Sequence, residues 1–270
     1  MKLGVIVSLD TDISEKFAKL REMGFSTCQL SCWNMALYSE KMASEVLRAA
    51  QEFGITITAV WAGWSGYCEW NFQQGPATLG IVPVAYRRFR LEELKRGSDF
   101  AKLLGVQDVI THVGFLPENP NTTEFTDVVC ALREIALHCK KNGQYFLFET
   151  GQETPVTLKR TIQAVGTGNL GINLDPANLI LYGKGNPIDA LDVFGEYVRN
   201  IHGKDGCYPT DPYQLGVETP LGEGAVNFPA FVTKLKAIGY DGPITIEREI
   251  SGDQQIADIQ KAKVYLESLL

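Results

Sequence analysis

The sequence predicts an α/β fold, a closed (β/α)8 barrel forming one domain over residues 1–270. Three observations carry this. Eight short apolar runs, rich in β-branched and aromatic residues, alternate strictly with segments of helical period. Gly24, Gly54, Gly105, Gly143, Gly166 and Gly239 each follow a helical pattern and precede a strand run, where glycine takes the left-handed conformation without a Cβ penalty. The 270-residue length also suits such a TIM barrel, for which about 250 residues is typical.

The strand runs in order are LGVIVS (3–8), CQLS (28–31), ITITAVW (55–61), DVITHV (108–113), YFLFE (145–149), GINLD (171–175), VRNIH (198–202) and ITIE (244–247). Ile13, Phe17, Leu20 and Met23 recur at helical spacing between the first two. Phe125, Val128, Val129, Leu132, Ile135, Ala136 and Cys139 form one apolar face, and Phe228, Phe231, Val232, Leu235 and Ile238 another. The last helix, 253–270, is amphipathic through Ile256, Ile259, Tyr265, Leu266 and Leu269. An open doubly wound sheet is the alternative. It would carry a glycine-rich phosphate turn after its first strand, and that turn here reads SLDTDIS. Two connections are long, about 62–86 (rich in Gly, Trp and Tyr) and about 205–226 (ending in PLGEG). Long loops of this kind serve as lids or binding loops, and the first is expected to close over a ligand.

Composition narrows the classes. The chain is 45% apolar and 21% charged, which excludes disordered and fibrous proteins. A formal charge of −7 argues against a general nucleic-acid binder. No apolar run reaches the roughly 18–20 residues that span a bilayer. The opening MKLGVIVSLD meets Asp10 too soon for a signal peptide. The six cysteines show no CxxC spacing and read as reduced thiols. The expectation is a cytoplasmic protein with neither nucleic acid nor membrane as partner.

Barrels carry their active sites at the C-terminal ends of the strands. The residues found there are Trp33, Trp61, His112, Glu149, Asp175, His202 and Glu247. The last four come from consecutive strands, so they share one half of the rim. Three carboxylates and an imidazole converging there repel unless a cation lies between them. Oxygen-rich ligation with one nitrogen suits Mn²⁺, Mg²⁺ or Co²⁺, and Zn²⁺ fits the same donors. His112 either touches substrate or is a hydrogen-bonded core histidine. Trp33 and Trp61 either pack the barrel mouth or form a stacking wall for a sugar ring. His138 reads as a surface residue, and Glu153 and Glu249 as carboxylates near the site but outside the ligand set.

The segments FLFETGQE (146–153), NLDPANL (173–179), IHGKDG (201–206), PLGEG (220–224) and GPITIEREI (242–250) resemble the xylose-isomerase-like barrel superfamily of sugar isomerases and epimerases. The resemblance covers essentially the whole chain. Its most specific parts are the HxKD after strand 7, the LGEG loop and the IExE on strand 8. It implies a divalent metal held by Glu149, Asp175, His202 and Glu247, and a small-molecule sugar substrate. It implies that Glu149 and Glu247 flank the substrate carbon, one removing a proton and the other returning it. It is compatible with a homo-oligomer. Ketose 3-epimerases of the family carry a histidine where this chain has Asn178, and an arginine after the strand 7 histidine where the nearest basic group here is Lys204. An amide hydrogen-bonds a hydroxyl but carries no proton at neutral pH, so Asn178 is expected to bind substrate. Lys204 and Asp205 either bind substrate or pair with each other, and substrate contact is favoured for Lys204. A metal-dependent lyase on a keto-inositol or 3-keto sugar is the alternative. The superfamily's DNA-repair endonucleases use a histidine-rich zinc site, which three histidines and an acidic balance do not match.

Overall fold

A computed structural model describes all 270 residues. Eight parallel strands close into a barrel in chain order: β1 (Lys2–Ser8), β2 (Thr27–Cys32), β3 (Thr56–Ala62), β4 (Asp108–Thr111), β5 (Tyr145–Glu149), β6 (Leu170–Leu174), β7 (Val198–Gly203) and β8 (Pro243–Ile246). The last pairs back onto the first, with Lys2 opposite Pro243 and Val5 opposite Ile246. The helices α1 (Ile13–Glu22), α2 (Glu40–Phe53), α3 (Val84–Leu103), α4 (Thr123–Lys141), α5 (Pro155–Val165), α6 (Pro187–Phe194), α7 (Phe228–Ala237) and α8 (Asp253–Leu269) follow their strands. The TIM barrel expected from the alternation is the fold observed.

The caps are local and legible. The side chains of Ser39, Thr122 and Thr154 accept the backbone N–H of Met42, Phe125 and Thr157 at the starts of α2, α4 and α5. All six glycines singled out above have positive φ, between 65° and 77°. Every residue of β2, β4 and β6 is buried, because both faces of a parallel sheet are covered. The main core of 63 buried residues is dominated by the packing of sheet and helices, and a small cluster of Ala59, Trp61, Ile110 and Leu147 fills the lumen.

The structure differs from strict alternation in four places. The strand expected over 108–113 ends at Thr111, so His112 stands just past it. A second short helix, Pro176–Leu181, follows β6 before α6, and another, Gly75–Thr78, lies in the 62–86 connection. The 205–226 connection contains an antiparallel strand pair, Asp205–Cys207 with Val217–Thr219.

The N-terminal end of the lumen is plugged. The pairing register shifts between Ile172 and Asn173, where β6 meets β7. This lets adjacent residues both reach Asp108: Arg199 Nε at 2.9 Å and Asn200 Nδ2 at 2.7 Å. The Arg199 guanidinium also lies 3.7 Å from the centre of the Tyr145 ring. The C-terminal mouth holds the large cavity described next.

Candidate metal centre

Alternation along β5 sends Tyr145, Leu147 and Glu149 into the lumen and Phe146 and Phe148 outward. Asp175 stands one residue past β6 and caps the helix Pro176–Leu181: Oδ1 accepts the Asn178 N–H at 2.8 Å, which leaves Oδ2 free. Thr150 fastens the two strand ends, its hydroxyl donating to the Asp175 carbonyl at 2.8 Å and accepting the Asp175 N–H at 2.9 Å. His202 lies near the end of β7, and Glu247 follows β8 directly, its N–H donating to the Gly203 carbonyl at 3.2 Å. The four side chains offer ligand atoms that all lie within 4.8 Å of one another. His202 Nδ1 is 3.3 Å from Glu149 Oε1, 3.5 Å from Asp175 Oδ2 and 3.1 Å from Glu247 Oε2.

The imidazole is oriented from behind. His202 Nε2 lies 2.8 Å from Gln29 Oε1, and Gln29 Nε2 donates to Asn173 Oδ1 at 3.0 Å. An amide oxygen only accepts, so Nε2 carries a hydrogen and Nδ1 is left facing the carboxylates, where it takes either a proton or a cation. His202 Nδ1 and Asp175 Oδ2 are buried with no hydrogen-bond partner. Burial alone would lower the proton affinity of His202, yet the carboxylates of Glu149 and Glu247 raise it well above the ordinary histidine value. Burial pushes Glu149 up, but His112 and His202 hold it well below the usual carboxylate range. Glu247 is likewise pushed up by burial and brought down to about 2 by Lys204 and His202. The cluster demands positive charge at its centre, and its donor set fits a divalent cation.

Above the cluster opens a cavity of about 410 Å³. Glu149 and Glu247 line it, while Asp175 and His202 do not. His112, Asn178, Trp33 and Trp61 also line it, with Trp70, Tyr182, Leu215 and Glu249. The xylose isomerase-like TIM barrel family matches residues 17–269. The chain belongs to this family. It is similar to the xylose isomerase domain protein of Planctomyces limnophilus, with 34% identity, 99% of this chain and 96% of that one covered, and a TM-score of 0.93. The 3-keto-D-glucoside 4-epimerase of E. coli shares the fold at 17% identity, with 99% of both chains covered and a TM-score of 0.74. So does a probable 3-DHS dehydratase of Bacillus anthracis, at 18% identity, 98% and 99% coverage and a TM-score of 0.71.

In this xylose isomerase-like barrel the other expected site residues divide. Trp61 is 4% exposed; its indole N–H donates to Glu149 Oε2, and its ring packs against Trp33 at 5.0 Å between centres. It therefore orients a carboxylate instead of presenting a free stacking face. Trp33 is 46% exposed and does present one. His112 Nε2 is 3.4 Å from Glu149 Oε1, and its Nδ1 is buried without a partner. Asn178 faces the cavity and accepts from Lys204 Nζ at 3.4 Å. Lys204 itself is buried behind the lining, 3.2 Å from Glu247 Oε2 and 3.1 Å from Glu249 Oε1. Lys204 and Asp205 do not pair. Asp205 turns the other way and accepts four N–H groups, from Gly206 (2.9 Å), Gly222 (3.0 Å), Gly224 (3.1 Å) and Val226 (3.1 Å). A Cβ on Gly224 would lie 2.2 Å from Asp205 Oδ1, so only glycine lets that backbone close on the carboxylate. His138 is a surface-side residue bound to Asp99 at 2.7 Å.

Sequence reasoning missed Gln29, Thr150, Trp70 and Arg90. The Arg90 guanidinium is fully buried and donates to the carbonyls of Ser65 (2.9 Å), Tyr67 (3.0 Å), Thr78 (2.6 Å) and Gly80 (2.7 Å). It also lies 3.9 Å from the Trp64 ring centre and 4.3 Å from that of Tyr86. The 62–86 segment is thereby held in place. Glu249 lines the cavity, and its N–H is received by both Glu218 oxygens at 3.1 Å. Glu153 is buried, has Oε1 without a partner, and is pushed up to about 7 by burial.

Proposed function

We propose that this chain is a divalent-metal-dependent sugar isomerase or epimerase that works through an enediolate, with Glu149 and Glu247 carrying the proton. One observation carries the reading: of the four clustered side chains, only these two line the cavity, and they reach it from β5 and from the end of β8. A divalent cation held by Glu149, Asp175, His202 and Glu247 (Mn²⁺, Mg²⁺ or Co²⁺, with Zn²⁺ compatible) would supply the positive charge that stabilises the enediolate oxygens. Glu149 stays ionised at neutral pH, as a base must, and the Trp61 N–H holds its Oε2 while Oε1 remains beside His112. In this reading Glu247, backed by Lys204, returns the proton. Return to the opposite face of the same carbon gives an epimer, and return to the neighbouring carbon gives an isomer. Asn178 is positioned to hydrogen-bond a substrate hydroxyl.

The substrate in this reading is an unphosphorylated sugar. Glu149, Glu247 and Glu249 line the cavity without any lysine or arginine among them. Of the PLGEG-loop amides that a phosphate would want, those of Gly222 and Gly224 are taken by Asp205 and that of Glu223 by the Pro220 carbonyl. A sugar-epimerase relative of the same fold supports the substrate class. Six free cysteines support a cytoplasmic setting.

Proton NMR in D₂O, with the Mg²⁺-loaded protein and a panel of ketoses and keto-inositols, tests this. Deuterium entering next to the carbonyl is expected, and Glu149→Gln should slow that exchange at least about 100-fold. If no sugar exchanges while Glu149→Gln still binds sugar, proton abstraction is refuted. A second reading, loss of water from the β position, rests on His112: its imidazole lines the cavity 3.4 Å from Glu149 Oε1 and would protonate a departing hydroxyl. The same spectra separate it, through a dehydrated product with new ultraviolet absorbance.

A further inference from the structure

The cavity is larger than a single sugar ring needs and is divided in character. At about 410 Å³ it falls in the range of sites for drug-sized ligands, roughly 300–1,000 Å³. Its carboxylates gather over the metal cluster. Apart from Ser31, His112 and Asn178, the rest of its wall is apolar or aromatic, including Trp33, Trp70, Tyr182, Leu181 and Leu215. Trp61, bonded to Glu149, marks the inner limit of that wall. Trp33 lies one ring further out, 5.0 Å from Trp61, and Trp70 meets it edge-on at 6.4 Å. Trp33 is 46% exposed and Trp70 38% exposed, in a chain where Trp61 and Trp64 are almost wholly buried. An exposed tryptophan pair continuous with a binding cavity wants a flat ring to cover it.

The platform is built into the fold. Trp33 rests on Gly63, where a Cβ would come within 2.7 Å of the indole. Trp70 is held against His112 at 5.0 Å and stacks near Trp64 at 6.2 Å. Trp64 is in turn pinned by Arg90 and by its N–H bond to the His112 carbonyl at 3.1 Å.

From this we infer that the substrate is a glycoside: the sugar ring that reacts lies at Glu149 and Glu247 and carries its carbonyl on a carbon other than the acetal one, and a second ring, joined through the glycosidic oxygen, stacks on Trp33 with Trp70 closing one edge. The inference rests on the sugar-converting reading above for the identity of the first ring. The second ring presents a flat C–H or π face, which either another pyranose or an aromatic aglycone supplies.

All four tryptophans of the chain belong to this cluster, so selectively excited tryptophan fluorescence reports on the site. 1,5-Anhydro-D-glucitol, methyl β-cellobioside and phenyl β-D-glucoside, none of which can open to a carbonyl, are titrated into the protein. The cellobioside, the phenyl glucoside or both are expected to bind about tenfold more tightly than anhydroglucitol. Whichever binds identifies the kind of second ring. By calorimetry, Trp33→Ala should bring the glycosides down to the affinity of anhydroglucitol, and Trp33→Phe should restore part of the difference. Mn²⁺ binding by Trp33→Ala should match the parent, which shows the variant to be folded. Equal affinity for all three ligands, no binding of any, or a preference that survives Trp33→Ala overturns the inference. Deuterium exchange with free ketoses and no glycoside preference leaves the reaction reading standing and removes this one. Glycoside preference without exchange does the reverse.

Discussion

Replacing Gln29 with leucine isolates the contribution of an orienting residue that touches neither cation nor substrate. The side chain keeps its volume but loses both amide partners. The His202 Nε2–H, 2.8 Å from Gln29 in the parent, and Asn173 Oδ1, 3.0 Å away, are both left buried and unsatisfied. Each such group costs about 1–3 kcal/mol, so the folded state loses about 2–6 kcal/mol. With nothing holding the hydrogen on Nε2, Nδ1 no longer presents a fixed lone pair. Loss of a partner of this kind weakens metal binding about 10- to 100-fold, which is about 1.4–2.7 kcal/mol. The assay is calorimetric titration of Mn²⁺ into the metal-stripped variant, with circular dichroism to confirm folding. Gln29→Glu is the companion. It still accepts the Nε2–H, and Asn173 Nδ2, unpartnered in the parent, can turn to donate to it. Its affinity should stay within about threefold of the parent. A folded Gln29→Leu that binds Mn²⁺ as tightly as the parent, or a Gln29→Glu that loses as much as Gln29→Leu, refutes the reasoning.

Three further outcomes are expected. Glu153 is raised by burial from 4.5 to about 7 in the folded protein, so between those values the folded state holds a proton that the unfolded chain has released. Its contribution to stability is therefore intact below about 4.5 and lost as pH rises to about 7, and urea unfolding across that window should show a fall that Glu153→Gln removes; parallel profiles would contradict this. Asp205→Ala strips a charged acceptor from four N–H groups. With water replacing part of the loss, about 3–5 kcal/mol should go, a fall of about 6–20 °C in Tm, and hydrogen exchange should rise selectively over 220–226. Arg90→Lys keeps the charge but cannot span four carbonyls, so limited proteolysis should open the 62–86 segment first, and uniform cleavage along the chain would speak against the anchor.

The barrel and the four clustered residues were legible because both follow from short-range periodicity. Runs of four to seven apolar residues mark the strands, and period two fixes which side of β5 carries Glu149. The strand ends then collect Glu149, Asp175, His202 and Glu247 with no knowledge of the packing. Gln29 was not legible, since its partners lie 144 and 173 residues away and a lone amide in CQLS gives no sign of them. Trp61 illustrates a different limit. Its place at the mouth was readable, but whether an indole offers its face or its N–H depends on what packs against it, here Trp33. Lys204 and Asp205 are adjacent in the chain, and alternation sends neighbours along an extended backbone to opposite sides, so one serves the carboxylates and the other the glycine-rich loop. The short helix Pro176–Leu181 was hidden because it interrupts a long βα connection and has no apolar period of its own.

Arg90 has a kinetic consequence. Four carbonyls and two aromatic rings fix the 62–86 segment around one guanidinium, so the aromatic wall of the mouth is complete before any ligand arrives. The ordering entropy of that segment is lost during folding and not again on association. A ligand entering the mouth meets a wall already in place. Its departure is then expected to follow the contacts that must break, without an opening of 62–86 as a separate step.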